Sequence, residues 1–224
     1  GESHPNVRGT IVSSIEAGVL QENGLTDEGK QQAIAAGREL QTLLQGAGVL
    51  PENTILLTSP FSRARETAEA LQTCIGCEMR VDNDLRERWF GSLEGHLNDR
   101  YAEVWAEDAR NAAAAPHGAE SSAAVAARMA ASLRRARKET ELRQRHYSGE
   151  GLPFAAGPAA LVLVSHGDAL QILQCALAGA DLRDHRRLPH LGNAEVRKLR
   201  LAVPGREEAA VTGAGAANGA ATAA

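Results

Sequence analysis

Leu161-Val162-Leu163-Val164-Ser165-His166-Gly167-Asp168 is the stretch from which the fold is read. An apolar run stops abruptly at Ser-His-Gly, and Ala169 to Leu177 reads as a helix. A short apolar run bounded by a turn signal is of strand length. A strand that turns straight into a helix places His166 at the carboxyl edge of a sheet, where open α/β folds bind ligands. Taken alone, the Ser-His-Gly is better explained by a histidine that only hydrogen-bonds a turn, because placement in a fold is weak evidence of function.

The same pattern recurs upstream. Thr54-Ile55-Leu56-Leu57-Thr58 is a second strand, ended by Ser59-Pro60 and followed by a helix with Ala64, Ala68 and Leu71 on one face. Met79-Arg80-Val81 is a third, followed by the polar segment Asp82 to Gly95. Thr26 has the character of an N-cap, with Asp27 and Glu28 at the positive end of the helix dipole. That helix carries Ile34, Leu40, Leu43 and Leu44 and ends near Gly46 and Gly48. Tyr101, Val104 and Trp105 indicate another helix. A long one spans Ser121 to Arg143, with Val125, Met129, Leu133 and Ala136 inward and Arg134, Arg135, Arg137 and Lys138 solvated. Residues 1–25 are expected to form a long loop, residues 148–158 a Gly/Pro loop, and Val196 to Val203 a last strand. Strands alternating with helices predict a three-layer α/β/α fold around a mostly parallel sheet. The expected division is one domain over residues 1–204 and a low-complexity, disordered tail over 205–224.

Composition narrows the function. With 24 Lys and Arg against 28 Asp and Glu, the formal charge is −4, so nothing argues for nucleic acid or a membrane surface as partner. No apolar run reaches the roughly 18 residues of a membrane span. No signal peptide is visible at the start, and a cytoplasmic location is expected. Three cysteines do not make a disulfide framework, and Cys74-Ile75-Gly76-Cys77 has no second pair to complete a zinc site. Asp184-His185-Arg186-Arg187, with His190, reads as a solvated connection, and His117 sits beside a Gly118-Ala119-Glu120-Ser121 segment.

Two further segments carry chemistry. In Ser59-Pro60-Phe61-Ser62-Arg63, Arg63 falls in the first turn of a helix, where a guanidinium can donate paired hydrogen bonds to a phosphoryl group. Arg65 points elsewhere. In Asp84 to Gly95, Glu87 stands among Trp89 and Phe90, surroundings that raise a carboxyl pKa and suit a general acid. Glu94 is expected to hold the loop by accepting backbone N–H bonds. Each of the three, alone, has an ordinary surface or turn reading. Together, His166, Arg63 and Glu87 at one sheet edge make a phosphoryl-transfer pocket that lacks a nucleophile. No Walker-type loop or Gly-x-Ser-x-Gly elbow is present.

The order of these segments resembles the histidine phosphatase superfamily, the phosphoglycerate-mutase-like fold. Ser59-Pro60 with Arg63-Ala64 and Thr67-Ala68 resembles its second motif. Leu85-x-Glu87 with Gly91 and Glu94-Gly95 resembles the acid loop, Gly118-Ala119-Glu120-Ser121 the helix start, and Ser165-His166-Gly167 the second-histidine motif. Leu191-Gly192-Asn193-Ala194-Glu195-Val196 resembles the lead into the last strand, and Gly1-Glu2-Ser3 with Asn6 the second half of the family's Arg-His-Gly-Glu-Ser.

The resemblance implies a phosphomonoesterase acting through a phosphohistidine on a small phosphorylated metabolite, without metal or cofactor. Arg63 and His166 would stabilise the phosphoryl oxygens and Glu87 would protonate the leaving oxygen. Gly1, Ser3, Asn6 and Gly167 would line the phosphate site. It also implies that the first, central strand and the Arg-His pair are missing, so the chain as given is expected to be inactive and marginally stable; His4 is no substitute, since it does not end a strand. Two alternatives stand beside the phosphatase. Phosphoglycerate mutase is disfavoured by the 33 positions from Glu87 to Glu120, which hold no Arg-Arg pair. A non-catalytic phosphate-binding or interaction module is the other. A homodimer is left open.

Overall fold

A computed structural model describes residues 1–147 and 157–199. Its centre is a parallel sheet of three strands, β1 (Thr54–Thr58), β2 (Glu78–Val81) and β3 (Ala160–Val164), in the order β2-β1-β3. The register sets Thr58 level with both Val81 and Val164, so the three strands finish on one edge.

Strand alternation builds the layers. Leu56 faces α3 (Asp27–Gly46) and α4 (Ser62–Ile75), packing among Leu40, Leu44, Ala68 and Leu71. Ile55 and Leu57 face the other way, onto α6 (Ser122–Tyr147) and α7 (Gly167–Leu177), where Val125, Met129, Ile172 and Leu173 close the core. Helices thus cover both faces of the sheet, as the strand-helix alternation predicts. Thr26 caps α3 by accepting from the Gly29 N–H. The inward and outward faces expected of α6 are also observed: Val125, Met129, Leu133 and Ala136 are buried, and Arg135 reaches out to Asp82 and Asp84.

The N-terminal residues are not the loop that their turn formers suggest. They form α1 (His4–Arg8), α2 (Ile15–Gly18) and a turn of 3-10 helix at Gln21–Asn23. Ser3 and Asn6 complete a reciprocal capping box, Pro5 lies in the first turn, and Gly9 closes α1 at φ 62°. Turn-forming residues here start and stop short helices instead of marking a loop. The helix around Trp105 is α5 (Tyr101–Asp108). Residues 194–199 form no strand, so the expected last strand is not seen over Val196 to Leu199; Leu201, Val203, most of the 148–158 loop and the tail from residue 205 lie outside the described residues. No described helix is long and apolar enough to cross a membrane.

β1 and β3 are both five residues long, yet they differ in environment. All of β1 is buried, whereas Ala160 to Leu163 of β3 are only half-buried. Among the described residues, no strand pairs with the outer edge of β3. That edge borders a cavity of about 1260 Å³ walled by α3, α6 and α7, with Leu40, Leu44, Leu133, Leu173 and Leu177 among its lining.

Candidate active site

Three chain segments leave the carboxyl edge of the sheet and meet. The Ser59 N–H donates to Val164 O at 2.9 Å, and the Asp82 N–H to Thr58 O at 2.8 Å, so the strand ends are tied together just before the chain turns. Ser165 Oγ donates to Leu85 O at 2.7 Å, joining the β3 exit to the acid loop. Arg63, Glu87 and His166 are thereby brought to one place, as the sequence predicts.

The contacts are specific. His166 Nε2 lies 2.8 Å from Ser59 Oγ, and its Nδ1 lies 3.9 Å from Glu87 Oε2. The ring meets Phe61 edge-on, with centroids 5.0 Å apart. Arg63 Nη2 donates to Val12 O at 3.0 Å and stands 3.9 Å from the same Glu87 oxygen. Arg63 Nη1 is buried and has no hydrogen-bond partner. A buried charged donor left unpaired is costly, so an anion in the cavity would satisfy it. Gly1, Ser3, Asn6, Gly167, Arg63, Glu87 and His166 all line this cavity, which continues into the space beside β3. The Asn6 side chain is engaged with Ser3 in the cap of α1.

Electrostatics separates the two titratable groups. Burial pushes the Glu87 carboxyl up to about 7, opposed chiefly by Arg63. Burial, with the nearby Arg63 and Arg128 charges, holds the His166 imidazole well below its ordinary range. At neutral pH the pocket therefore holds a neutral imidazole, a carboxyl poised to give or take a proton, and a guanidinium. This pairing of opposed shifts marks acid–base roles.

The acid loop is built to hold that carboxyl. Glu87 Oε1 accepts from the Arg88 N–H at 2.9 Å. Glu94 accepts from the Ser13 N–H at 2.8 Å and from Ser13 Oγ at 2.6 Å, the loop-holding role its sequence position suggests. Arg128 clasps Glu120 and donates to the carbonyls of Asp84, Arg86 and Glu87. Gly91 sits at φ 60°, and a Cβ there would lie 1.9 Å from His117 O, so only glycine fits the turn. His117 turns away to pair with Glu103 at 2.8 Å.

Behind the loop lies a polar group that sequence reading missed. Arg88 is fully buried and forms a bidentate pair with Asp108 at 2.5 and 2.8 Å. Asp168 touches Arg88 at 3.3 Å and accepts from Trp105 Nε1 at 3.0 Å. The expected solvated connection at residues 184–187 is instead part of this group: Leu182–Arg187 form a 3-10 turn, His185 is fully buried, and Arg186 lies over the Trp105 ring at 3.7 Å. Charges enriched on a loop read as solvated unless their partners are known, and these partners are 20 and 80 residues from Arg88. Asp168, directly after His166-Gly167, was the one signal available.

The chain matches the family model of the histidine phosphatase superfamily (branch 1) over residues 1–211. It is 30% identical over 177 residues to a glucosyl-3-phosphoglycerate phosphatase of Mycolicibacterium vanbaalenii, covering 76% of this chain and 70% of that protein. A probable phosphoglycerate mutase of Erwinia tasmaniensis is 29% identical over 184 residues, covering 80% and 74%. Among solved structures, the mycobacterial glucosyl-3-phosphoglycerate phosphatase complexed with VO3 is 28% identical with a TM-score of 0.62, over 87% of this chain and 84% of that one. A Bacillus stearothermophilus protein, YhfR, shares the fold at a TM-score of 0.59 and 24% identity, over 87% of this chain and 84% of that one.

Proposed function

The chain belongs to the histidine phosphatase superfamily, branch 1, and from that premise we propose that its site serves hydrolysis of a small phosphomonoester through a phosphohistidine. The relatives named above are a phosphatase and a probable mutase, which supports phosphoryl transfer as the reaction class. The observation that carries the reading is the buried, unpaired Arg63 Nη1 facing a cavity that also holds Glu87 and His166.

Each group has a task. Arg63 donates to the phosphoryl oxygens and stabilises their growing charge. His166, neutral and anchored by Ser59, donates to the same oxygens instead of attacking. Glu87, with its pKa near 7, protonates the leaving oxygen and then takes a proton from the water that cleaves the phosphohistidine. Ser3, Asn6 and the backbone at Gly1 and Gly167 line the phosphate. The substrate class is a small phosphorylated metabolite; the glucosyl-3-phosphoglycerate of the mycobacterial relatives is the first to try.

The attacking imidazole belongs, on this reading, to a strand seated beside β3. The recess there is lined by apolar side chains from both helix layers, with Arg137, Gln174 and residues 190–199 also on its wall, and the same cavity reaches the phosphate site. A strand of five residues, about 17 Å long, would match β3. The 224 residues by themselves are then a phosphate-binding scaffold without turnover, organised as one domain over residues 1–204.

The test fuses five or six apolar residues followed by Arg-His directly before Gly1 and assays the product against the unfused chain. The expected outcome is phosphatase turnover and an acid-labile phosphoryl adduct on the added histidine, neither seen with the unfused chain. No turnover on a panel of phosphomonoesters would sink the proposal, and mutase turnover exceeding hydrolysis would replace it with the mutase reading.

A further inference from the structure

The mechanism as drawn so far leaves one cation of the pocket without a task. Arg186 lines the cavity that holds Arg63, Glu87 and His166. Its guanidinium lies 3.7 Å from the centroid of the Trp105 ring, and its side chain is 29% exposed. Gln171, buried in α7, holds this segment at two points: its Oε1 accepts from Arg186 Nη1, and its Nε2 donates to Leu188 O at 2.8 Å. Further along, His190 stands so close to Gly167 that a Cβ there would lie 3.3 Å from the ring. The segment from Arg186 to His190 thus runs beside the first turns of α7, whose N-cap is His166.

A chain of contacts leads from the acid loop to the same cation. Phe90 follows Glu87 by three residues, Tyr101 meets it edge-on at 4.5 Å, and Trp105 stacks on Tyr101 at 5.4 Å. All three rings line the cavity. The arginines of the acid loop are fully engaged: Arg128 grips Glu120 through Nε and Nη2 at 2.8 and 2.9 Å, and Arg88 spends Nε on Glu120 O and both Nη atoms on Asp108. Arg186 uses only Nη1, and among the described residues its Nε–Nη2 edge makes no hydrogen bond. Asp168 approaches the same Nη1 at 3.6 Å, beyond hydrogen-bond distance, and bonds instead to Trp105 Nε1 at 3.0 Å and Arg88 Nη1 at 3.3 Å. Burial holds Arg186 below the ordinary arginine range, and Asp168 offsets this only in part. Arg88, despite its burial, is held above that range by Asp108 and Asp168. A planar guanidinium seated on an aromatic ring with one edge free is ready to take a carboxylate through two parallel N–H bonds.

We propose that Arg186 determines substrate specificity: its Nε–Nη2 edge binds a carboxylate on the leaving group of the phosphomonoester. The proposal rests on the assignment of Arg63 and His166 to the phosphoryl group and of Glu87 to the leaving oxygen. A substrate so held spans the pocket from Arg63 to Arg186 along the wall made by Phe90 and Tyr101. Trp105 is covered by Arg186 and stacked on Tyr101, so it supports the cation. With Asp168 3.6 Å from the guanidinium, a singly charged carboxylate fits better than a second, dianionic phosphate.

The test measures, by calorimetry on the 224-residue chain, the binding of 3-phosphoglycerate and of glycerol 3-phosphate. Both carry a phosphate on a three-carbon frame, and only the first has a carboxylate. The wild type is expected to bind 3-phosphoglycerate about tenfold more tightly, the contribution of one charge-assisted pair. Arg186→Gln should bring the ratio to about one by weakening 3-phosphoglycerate alone. Arg186→Met, which keeps the stem on Trp105, gives the same readout if the Gln variant does not fold. Equal affinities in the wild type, a preference that survives the substitution, or an equal loss for both ligands in Arg186→Gln overturns the proposal. Arg63→Gln should weaken both ligands and leave their ratio unchanged. If neither ligand binds the wild type, or if Arg63→Gln weakens neither, the phosphate site itself is misassigned and the proposal falls with it, which is a separate failure.

Discussion

The carboxyl edge of the sheet and the flank of β3 open into one cavity, and they are held in opposite ways. At the edge, directional bonds hold the loops, Arg88 with Asp108, Glu94 with Ser13, Arg128 with Glu120 and three carbonyls, Ser165 with Leu85, and Arg63 Nη1 is left without a partner. Directional bonds there determine where each functional side chain stands. Along the flank, many of the lining side chains are aliphatic, and among the described residues β3 is paired on one side only. Apolar burial is non-directional, so packing here does not fix individual side chains as the hydrogen bonds of the edge do. The site's geometry therefore depends on directional polar bonds, whereas the flank depends on the packing of half-buried apolar side chains.

The largest effect should come from breaking the edge. Arg88→Met leaves the Asp108 carboxylate buried without its cation, and removing one partner of a buried pair costs about 3–5 kcal/mol. Urea unfolding of the variant should show that loss, against a total that is about 5–15 kcal/mol for a typical domain. A cost below about 1 kcal/mol would mean that the edge is no more rigidly specified than the flank.

A somewhat smaller effect is written in the pH dependence. The unfolded chain releases the Glu87 proton near 4.5, whereas the folded chain keeps it until about 7. Over that window the folded state binds more protons, so Glu87 subtracts stability as pH rises. The difference corresponds to about 3 kcal/mol above pH 7. His166 acts in the other sense: its folded pKa lies well below 6.5, so it subtracts stability as pH falls below 6.5. Glu87→Gln should accordingly be more stable than the wild type above pH 7, with the His166 acid limb uncovered below 6.5. Denaturant midpoints from pH 4 to 8 measure both limbs, and an unchanged profile in Glu87→Gln would show that the edge does not hold the carboxyl out of water.

The two regions were also unequally legible in the sequence. The α/β alternation, β1, and the meeting of Arg63, Glu87 and His166 follow from local signals: apolar runs of strand length that end in polar turns. The helices at His4–Arg8 and Ile15–Gly18 did not, because Ser, Asn, Pro and Gly serve equally as caps and as turns, and only the pairing of Ser3 with Asn6 decides between them. Burial of His185 was hidden for a different reason. Its charged neighbours in sequence, Asp184, Arg186 and Arg187, imply solvent, while the groups around it, Asp108 and Asp168, come from other segments. Long-range polar partners leave no periodicity to read.

The flank gives the smallest effect and the sharpest contrast. Leu163 of β3 and Leu56 of β1 are like residues on adjacent strands, but Leu56 is fully buried and Leu163 half-buried. Leu56→Ala should cost about 2–5 kcal/mol, the usual range for a core cavity. Leu163→Ala removes methylenes already partly in contact with water, so its cost should be about 1 kcal/mol or less. The difference should shrink in the protein carrying the fused strand. There Leu163 becomes an interior residue, and its truncation should approach the cost seen at Leu56. If Leu163→Ala costs as much in the unfused chain as in the fused one, β3 is already covered, and the recess beside it is not a place for a strand.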